Sequence, residues 1–337
     1  MTQDGAQTAS AAGRDIDALE AGIRAGERRS LARAITLVES RRAGDHAAAQ
    51  DLIERLLPLA GRAVRLGITG VPGVGKSTAI EALGTKLTGA GQTVAVLAVD
   101  PSSGRTGGSI LGDKTRMAKL SADPDAFIRP SPSSGVLGGA GRATREALLL
   151  CEAAGFDVII VETVGAGQAD YVVADMVDTF LVLMLAGGGD ELQGIKKGIL
   201  EIADIVAVNK ADIDVKATRR AMRDYTSALH IVTPSDAVWT PPVLTLSGLT
   251  GEGMDALWQA VRDHRNAMRE SGDFDRRRRD QRLTWMWAVI EDRLLDRFRN
   301  APAVKALLAE IADSVAAGET GATRAAQDLL KAFEARS

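Results

Sequence analysis

The run GITGVPGVGKST at residues 67–78 constrains this chain more than any other feature. Gly70 through Ser77 fit G-x-x-x-x-G-K-[ST], a pattern whose chemistry needs a strand that turns directly into a helix. Its glycines let backbone N–H groups close around one anion, and the helix N-terminus adds positive potential there. Such a loop commits its surroundings to an α/β arrangement. Six short β-rich runs supply one: VRLGIT, TVAVLAVD, FDVIIVET, DTFLVLML, DIVAVN and PVLTLS alternate with helical segments. Near-continuous apolar strands of this kind are buried on both faces, so a mainly parallel sheet covered by helices is expected. A chance glycine-rich turn would lack that frame.

Either side of this core the pattern is helical. Leu19, Ile23, Leu31, Ile35 and Val38 recur near helical spacing, Leu52, Ile53, Leu56 and Leu57 form a second apolar face, and residues 16–60 are expected to be helices. After RESGDFDRRRRDQR, the residues Leu283, Trp287, Ile290, Leu294 and Phe298 mark one face of a long helix. That helix has little local core to join, which favours a dimerisation arm. The expected division is a helical N-terminal extension over 1–62, a P-loop domain over 63–265 and a helical dimerisation region over 266–337. The run Arg276 to Arg279 opens the long helix, and a solvated face is the expected role for so short a basic stretch.

Charge and composition narrow the partners. With 41 basic and 44 acidic residues the net charge is -3, which provides no field that favours nucleic acid or an anionic membrane. No run approaches the ~20 apolar residues of a membrane span, and MTQDGAQTASAAG lacks the basic start and apolar segment of a signal peptide. Cys151 is the only cysteine, expected as a small core residue in a reducing compartment. A cytoplasmic protein is therefore expected. His46, His230 and His264 stand far apart, with no metal-ligand spacing among them or with Cys151.

The loop residues Gly73, Val74, Gly75, Lys76, Ser77 and Thr78 are the expected phosphate grip, with Lys76 reaching the β- and γ-phosphates and Ser77 ligating Mg²⁺. Magnesium needs further oxygen ligands, and strand ends of an open α/β sheet deliver them to one crevice. Two strands end in acids, Asp100 and Glu162. Glu162 opens Glu162-Thr163-Val164-Gly165, an acid-x-x-Gly pattern whose glycine N–H can sense a γ-phosphate. Asn209, Lys210 and Asp212 follow another strand as NKAD, where one carboxylate can accept both N1–H and N2–H of guanine, a donor pair adenine lacks. Ser247, Gly248 and Leu249 follow a later strand and resemble the loop whose backbone N–H meets guanine O6. GTP is thus expected as substrate. Many GTPases place a glutamine directly after acid-x-x-Gly to orient the attacking water; here that position is Ala166 and the nearest glutamine is Gln168. Intrinsic hydrolysis should be slow and dependent on a partner.

At these residues the chain resembles the MeaB/ArgK-type P-loop GTPases, relatives of the nickel-insertion GTPases. DPSS and TGGSILGDKTRM, RPSPSSGVLGG, ETVGAGQ, GDELQGIKKGILEIADIVAVNKAD and TGEG carry the resemblance across residues 67–253. It implies a chaperone that uses GTP to gate cofactor loading and to protect an adenosylcobalamin-dependent acyl-CoA mutase, usually methylmalonyl-CoA mutase. By the same resemblance Asp113 and Arg116 approach the metal and the transferring phosphoryl group, while Asp190, Glu191 and Lys196 couple nucleotide to partner. The family also suggests a homodimer. Gly104 stands where the family usually has proline and Gly248 where it usually has alanine. The cysteine and histidine clusters of the metal-delivering relatives are missing from the sequence, which argues against metal insertion. Two other readings stand beside the chaperone. A kinase linked to amino-acid transport would need adenine tolerance, against which NKAD counts. An RNA-associated GTPase is disfavoured by the acidic balance.

Overall fold

A computed structural model describes residues 15–40, 42–99, 117–131, 137–163, 165, 167–186 and 197–335. Residues 15–24 form helix α1, followed by α2 (Arg28–Glu39), α3 (Ala43–Leu56) and a short 3₁₀ turn (Leu57–Leu59). The alternating region then runs β1 (Val64–Gly70), α4 (Lys76–Gly89), β2 (Val94–Val99), α5 (Ala118–Ala122), β3 (Ala126–Ser131), α6 (Leu137–Ala153), β4 (Val158–Thr163) and α7 (Gln168–Ala174). It continues with β5 (Thr179–Leu185), α8 (Lys197–Glu201), β6 (Ile205–Asn209), α9 (Val215–Val232), β7 (Val243–Thr245) and α10 (Met254–Glu270). Three helices follow, α11 (Asp273–Asn300), α12 (Pro302–Ala316) and α13 (Ala322–Glu334).

Among the described residues the strands form one seven-stranded sheet in the order β3-β2-β4-β1-β5-β6-β7, and every pairing is parallel. The six apolar runs are six of these strands. The seventh, β3, has the sequence AFIRPS, in which Arg129 and Pro130 break the apolar signal. It lies at the sheet edge, where a missing backbone donor is tolerated. β1 sits between β4 and β5: the connection after β1 runs to β2 on one side and that after β4 crosses to β5 on the other, a reversal that opens a crevice at the carboxyl ends of the strands.

Alternation along the strands divides the interior in two. Leu66, Ile68, Val94 and Val96 pack with Ile80 and Leu83 of α4 and Leu257 and Val261 of α10 on one face. Ala95, Leu97 and Val161 pack with Leu148 and Cys151 of α6 on the other. The N-terminal helices join that second cluster: Leu19, Ile23, Leu31, Ile35, Val38, Leu52 and Leu56 are all buried within it, as their spacing predicts. Leu57 is exposed.

The chain separates into two compact units, residues 1–281 and 282–337, with the division inside α11. In the second unit, Leu283, Trp287, Ile290 and Leu294 are on the surface of α11, and Phe298 meets Phe333 edge-on with ring centroids 5.5 Å apart. The arginine run departs from expectation. Arg276 and Arg279 are exposed, but Arg278 is only 7 % exposed and Arg277 half-buried. A helix turns about 100° per residue, so four consecutive side chains cannot all face water on a helix packed along one side. No helix among the described residues is long and apolar enough to cross a membrane.

Candidate nucleotide site

The phosphate loop sits where its pattern requires, between the last residue of β1 and the first of α4. Gly73 and Gly75 take φ of +80° and +91°, the left-handed region that favours glycine. At Gly75 a β-carbon would also lie 2.9 Å from Asn209 Nδ2, so both backbone and packing exclude a side chain. Val74 is fully buried and roots the loop in the core beneath α4. The Lys76 ammonium donates to Gly70 O at 2.7 Å and to Val71 O at 3.4 Å, which folds its side chain back over the loop. Ser77 and Thr78 lie in the first turn of α4, where backbone N–H groups point outward without intrahelical partners.

Two candidate metal ligands meet directly. Ser77 Oγ donates to Glu162 Oε1 at 3.1 Å, joining the start of α4 to the end of β4. A hydroxyl and a carboxylate at this spacing are hard oxygen donors of the kind Mg²⁺ takes. Asp100 and Asp113, the other expected ligands, lie outside the described residues, as do Arg116, Asp190, Glu191 and Lys196.

The base-reading segments converge on the same loop through one side chain. Buried Asn209, at the end of β6, donates from Nδ2 to Val74 O at 2.8 Å and accepts on Oδ1 from Gly248 N at 3.0 Å. It therefore ties the phosphate loop to the candidate guanine loop. Lys210 follows with φ +61°, and its stem passes beside Gly75. Asp212 is exposed next to them. Ser247 is buried, with Oγ accepting from Thr250 N at 3.1 Å, while Leu249 projects into solvent. Gly248 is pressed against α4: a β-carbon there would stand 2.9 Å from Ala79 N and 3.1 Å from Ala79 Cα. Glycine at this position fits the close approach.

A second polar cluster under the loop was not legible in advance. Thr69 Oγ1 donates to Asp170 Oδ1 at 2.6 Å, and Thr163 Oγ1 lies 2.7 Å from both Asp170 Oδ1 and Thr69 Oγ1. Asp170 Oδ2 accepts from Gly167 N at 3.1 Å, the reach-back of a third helical residue to its N-cap. Gly165, φ +75°, rests so closely on the phosphate loop that a β-carbon would meet Gly70 O at 2.1 Å. The one sequence signal for Asp170 was an acid in the first turn after a glycine, which alone indicates a cap.

A separate cavity of about 960 Å³ lies among the N-terminal helices and β3, lined by Asp15, Arg33, Thr36, Glu39 and Arg129 among others. It shares no residue with the crevice at the strand ends. Burial raises the Glu39 carboxyl above its ordinary range against the opposing pull of Arg129, its ion-pair partner.

Known proteins match nearly the whole chain. The family described as Methylmalonyl Co-A mutase-associated GTPase MeaB matches residues 31–303. A putative GTPase of Caulobacter vibrioides is 62% identical over 95% of this chain and 98% of its own length. The mitochondrial methylmalonic aciduria type A homolog of Mus musculus is 45% identical, covering 96% of this chain and 80% of that protein. Among solved structures, one titled as a LAO/AO transport system kinase is 37% identical with a TM-score of 0.74, over 95% of this chain and 97% of that one.

Proposed function

Because the chain belongs to the MeaB family of methylmalonyl-CoA mutase-associated GTPases, we propose that it is a GTP-driven chaperone of an adenosylcobalamin-dependent acyl-CoA mutase. In this reading it gates cofactor loading and protects the mutase, most simply methylmalonyl-CoA mutase, from inactivation. The observation that carries the guanine half of the proposal is the double contact of Asn209 with Val74 O and Gly248 N. One buried amide then makes the grip on phosphate and the reading of the base parts of a single rigid frame.

Lys76 leaves its loop carbonyls for the β- and γ-phosphates, and the α4 N-terminus receives the phosphate oxygens. Ser77 and Glu162 hold Mg²⁺, joined by Asp100 and Asp113. When bound there, Mg²⁺ would supply positive charge that offsets the negative charge developing during transfer. Asp212 accepts the two guanine donors, and Gly248 N–H or its neighbour meets O6. Arg116 approaches the γ-phosphate, while Asp190, Glu191 and Lys196 relay its presence to the mutase. Hydrolysis is slow until the mutase binds, since Ala166 carries no side-chain group to orient the attacking water. A kinase linked to amino-acid transport would have to accept adenine, and the exposed Asp212 carboxylate would there face the N1 acceptor and C2–H of that base in place of two donors.

Homodimerisation belongs to the same proposal. Leu283, Met286, Trp287, Ile290, Leu294 and Leu295 leave an apolar surface on the second unit's part of α11 that a second copy would cover.

The test is steady-state GTP hydrolysis alone and with purified methylmalonyl-CoA mutase, beside sedimentation to count copies. Acceleration by the mutase and preference for GTP over ATP are expected. Equal use of both nucleotides would sink the guanine reading, and a mutase that neither binds nor alters the rate would sink the chaperone reading while leaving a GTPase.

A further inference from the structure

Gly165 N–H, the group placed to sense a γ-phosphate, donates to Thr163 Oγ1 at 3.3 Å in this structure. That hydroxyl belongs to the buried cluster with Thr69 and Asp170. Thr69 and Thr163 are 1 % exposed and Asp170 4 %. The cluster joins three pieces of chain that bear on hydrolysis: the residue before Gly70, the residue after Glu162 and the first turn of α7. A buried carboxylate is costly to desolvate, and here two hydroxyls and a backbone N–H offset that cost. The same geometry would be met by an apolar packing trio at lower desolvation cost, so the polar choice calls for a reason.

We infer that Asp170 is a positioning residue for GTP hydrolysis, holding Thr163 as the resting acceptor from which Gly165 N–H passes to the γ-phosphate. This rests on the GTPase reading above and adds to it the anchor against which the loop switches. Asp170 bonds to Thr69, Thr163 and Gly167 and acts through them. Its carboxylate draws the Thr163 hydroxyl proton or that of Thr69, which orients a Thr163 lone pair toward Gly165. When a γ-phosphate is present, the Gly165 N–H exchanges a neutral acceptor for a charged one. When it departs, the hydroxyl takes the N–H back. The anchor thereby sets the difference between the GTP and GDP states rather than affinity for either alone. Close contact of Gly165 with Gly70 O transmits that choice to the phosphate loop.

Three variants test the idea in the full-length protein: Asp170→Asn, Thr163→Val and Thr163→Ser. Affinity for GDP and for a nonhydrolysable GTP analogue is measured by calorimetry. Asp170→Asn loosens the hold on Thr163 and should shift preference toward the GTP analogue in the same direction as Thr163→Val, by about threefold or more, with GDP affinity little changed. Thr163→Val removes the resting acceptor and should shift preference toward the GTP analogue by about tenfold, with GDP affinity little changed. Thr163→Ser keeps the hydroxyl and should restore the parent preference. If all three variants scale both nucleotides equally, or serine behaves as valine does, the cluster is packing and the inference fails. Should Asp170→Asn not fold, the two Thr163 variants decide alone. A parent protein that binds no guanine nucleotide would overturn both this inference and the reading beneath it, whereas normal binding with an unmoved preference overturns the anchor only.

Discussion

The two ends of the same sheet solve opposite problems. At the carboxyl ends, polar groups meet through backbone carbonyls, hydroxyls and one amide, as in Lys76 with Gly70 O, Ser77 with Glu162 and Asn209 with Val74 O. At the amino ends, charges are buried against each other. Arg278 grips Asp178 with two hydrogen bonds of 2.8 Å and also reaches Gly61 O at 2.6 Å, while Arg65 pairs with Glu152 at 2.7 Å. Beside them Arg277 reaches Asp204, whose backbone carbonyl takes the Trp239 indole N–H at 2.7 Å. Burial alone would raise the Asp204 carboxyl, but the charge of Arg277, with His264 Nε2 3.4 Å away and the Phe180 N–H donating to it, outweighs burial and holds the group below its ordinary range. Burial likewise pulls Arg278 down, and its bonds to Asp178 lift it above the usual arginine value. On the proposed function the first end would exchange these partners for nucleotide and metal, whereas the second holds its charges against each other.

Substitutions should separate these roles. The largest effect is expected for Arg278→Met, which strands the Asp178 carboxylate in the interior and should lower unfolding free energy by about 3–5 kcal/mol. Urea denaturation would measure it, and guanine-nucleotide affinity of the folded fraction should stay near the parent value. An equal loss of both would erase the division between the ends. Next comes Lys76→Ala, for which turnover should fall by about 10²–10³-fold, or roughly 2.7–4 kcal/mol of transition-state stabilisation, with the melting midpoint nearly unchanged. Asp212→Asn should cost guanine recognition about 1–3 kcal/mol, read by competition between GTP and ATP, and should spare stability because the side chain is exposed. The smallest effect is a slope. Asp204 has a lowered folded pKa, so its contribution is present above the ordinary carboxylate value of 3.8 and lost as pH falls through the folded value. Asp204→Asn should therefore flatten the loss of stability in acid within that window, followed by denaturant midpoints at stepped pH. A profile parallel to the parent's would remove Asp204 from the acid response.

What could be read from sequence follows the same division. The phosphate loop, the acid at the end of β4 and NKAD are short runs fixed to strand ends, so spacing alone placed Lys76, Ser77, Glu162 and Asn209 around one crevice. The six strongly apolar strands were equally plain. β3 escaped because an arginine and a proline interrupt six residues. The cluster of Thr69, Thr163 and Asp170 escaped because 101 positions separate Thr69 from its carboxylate. The pairing of Arg278 with Asp178 spans 100 positions, and no local pattern distinguishes a buried arginine from the solvated one beside it. Long-range partners among polar side chains depend on the finished topology, whereas motifs bound to the backbone of one turn do not.

The outer strands of the sheet bear on how copies of this chain can meet. β7 offers three residues, too few to template a long ladder. β3 carries Pro130, which lacks a backbone donor, and its Arg129 side chain is drawn to Glu39 and Thr36 of α2. Short, proline-bearing and charged borders of this kind discourage edge-to-edge polymerisation. A parallel sheet forms slowly because its pairings await distant segments, and open borders would be exposed to other chains during that time. Blunt borders on both sides limit that hazard during synthesis.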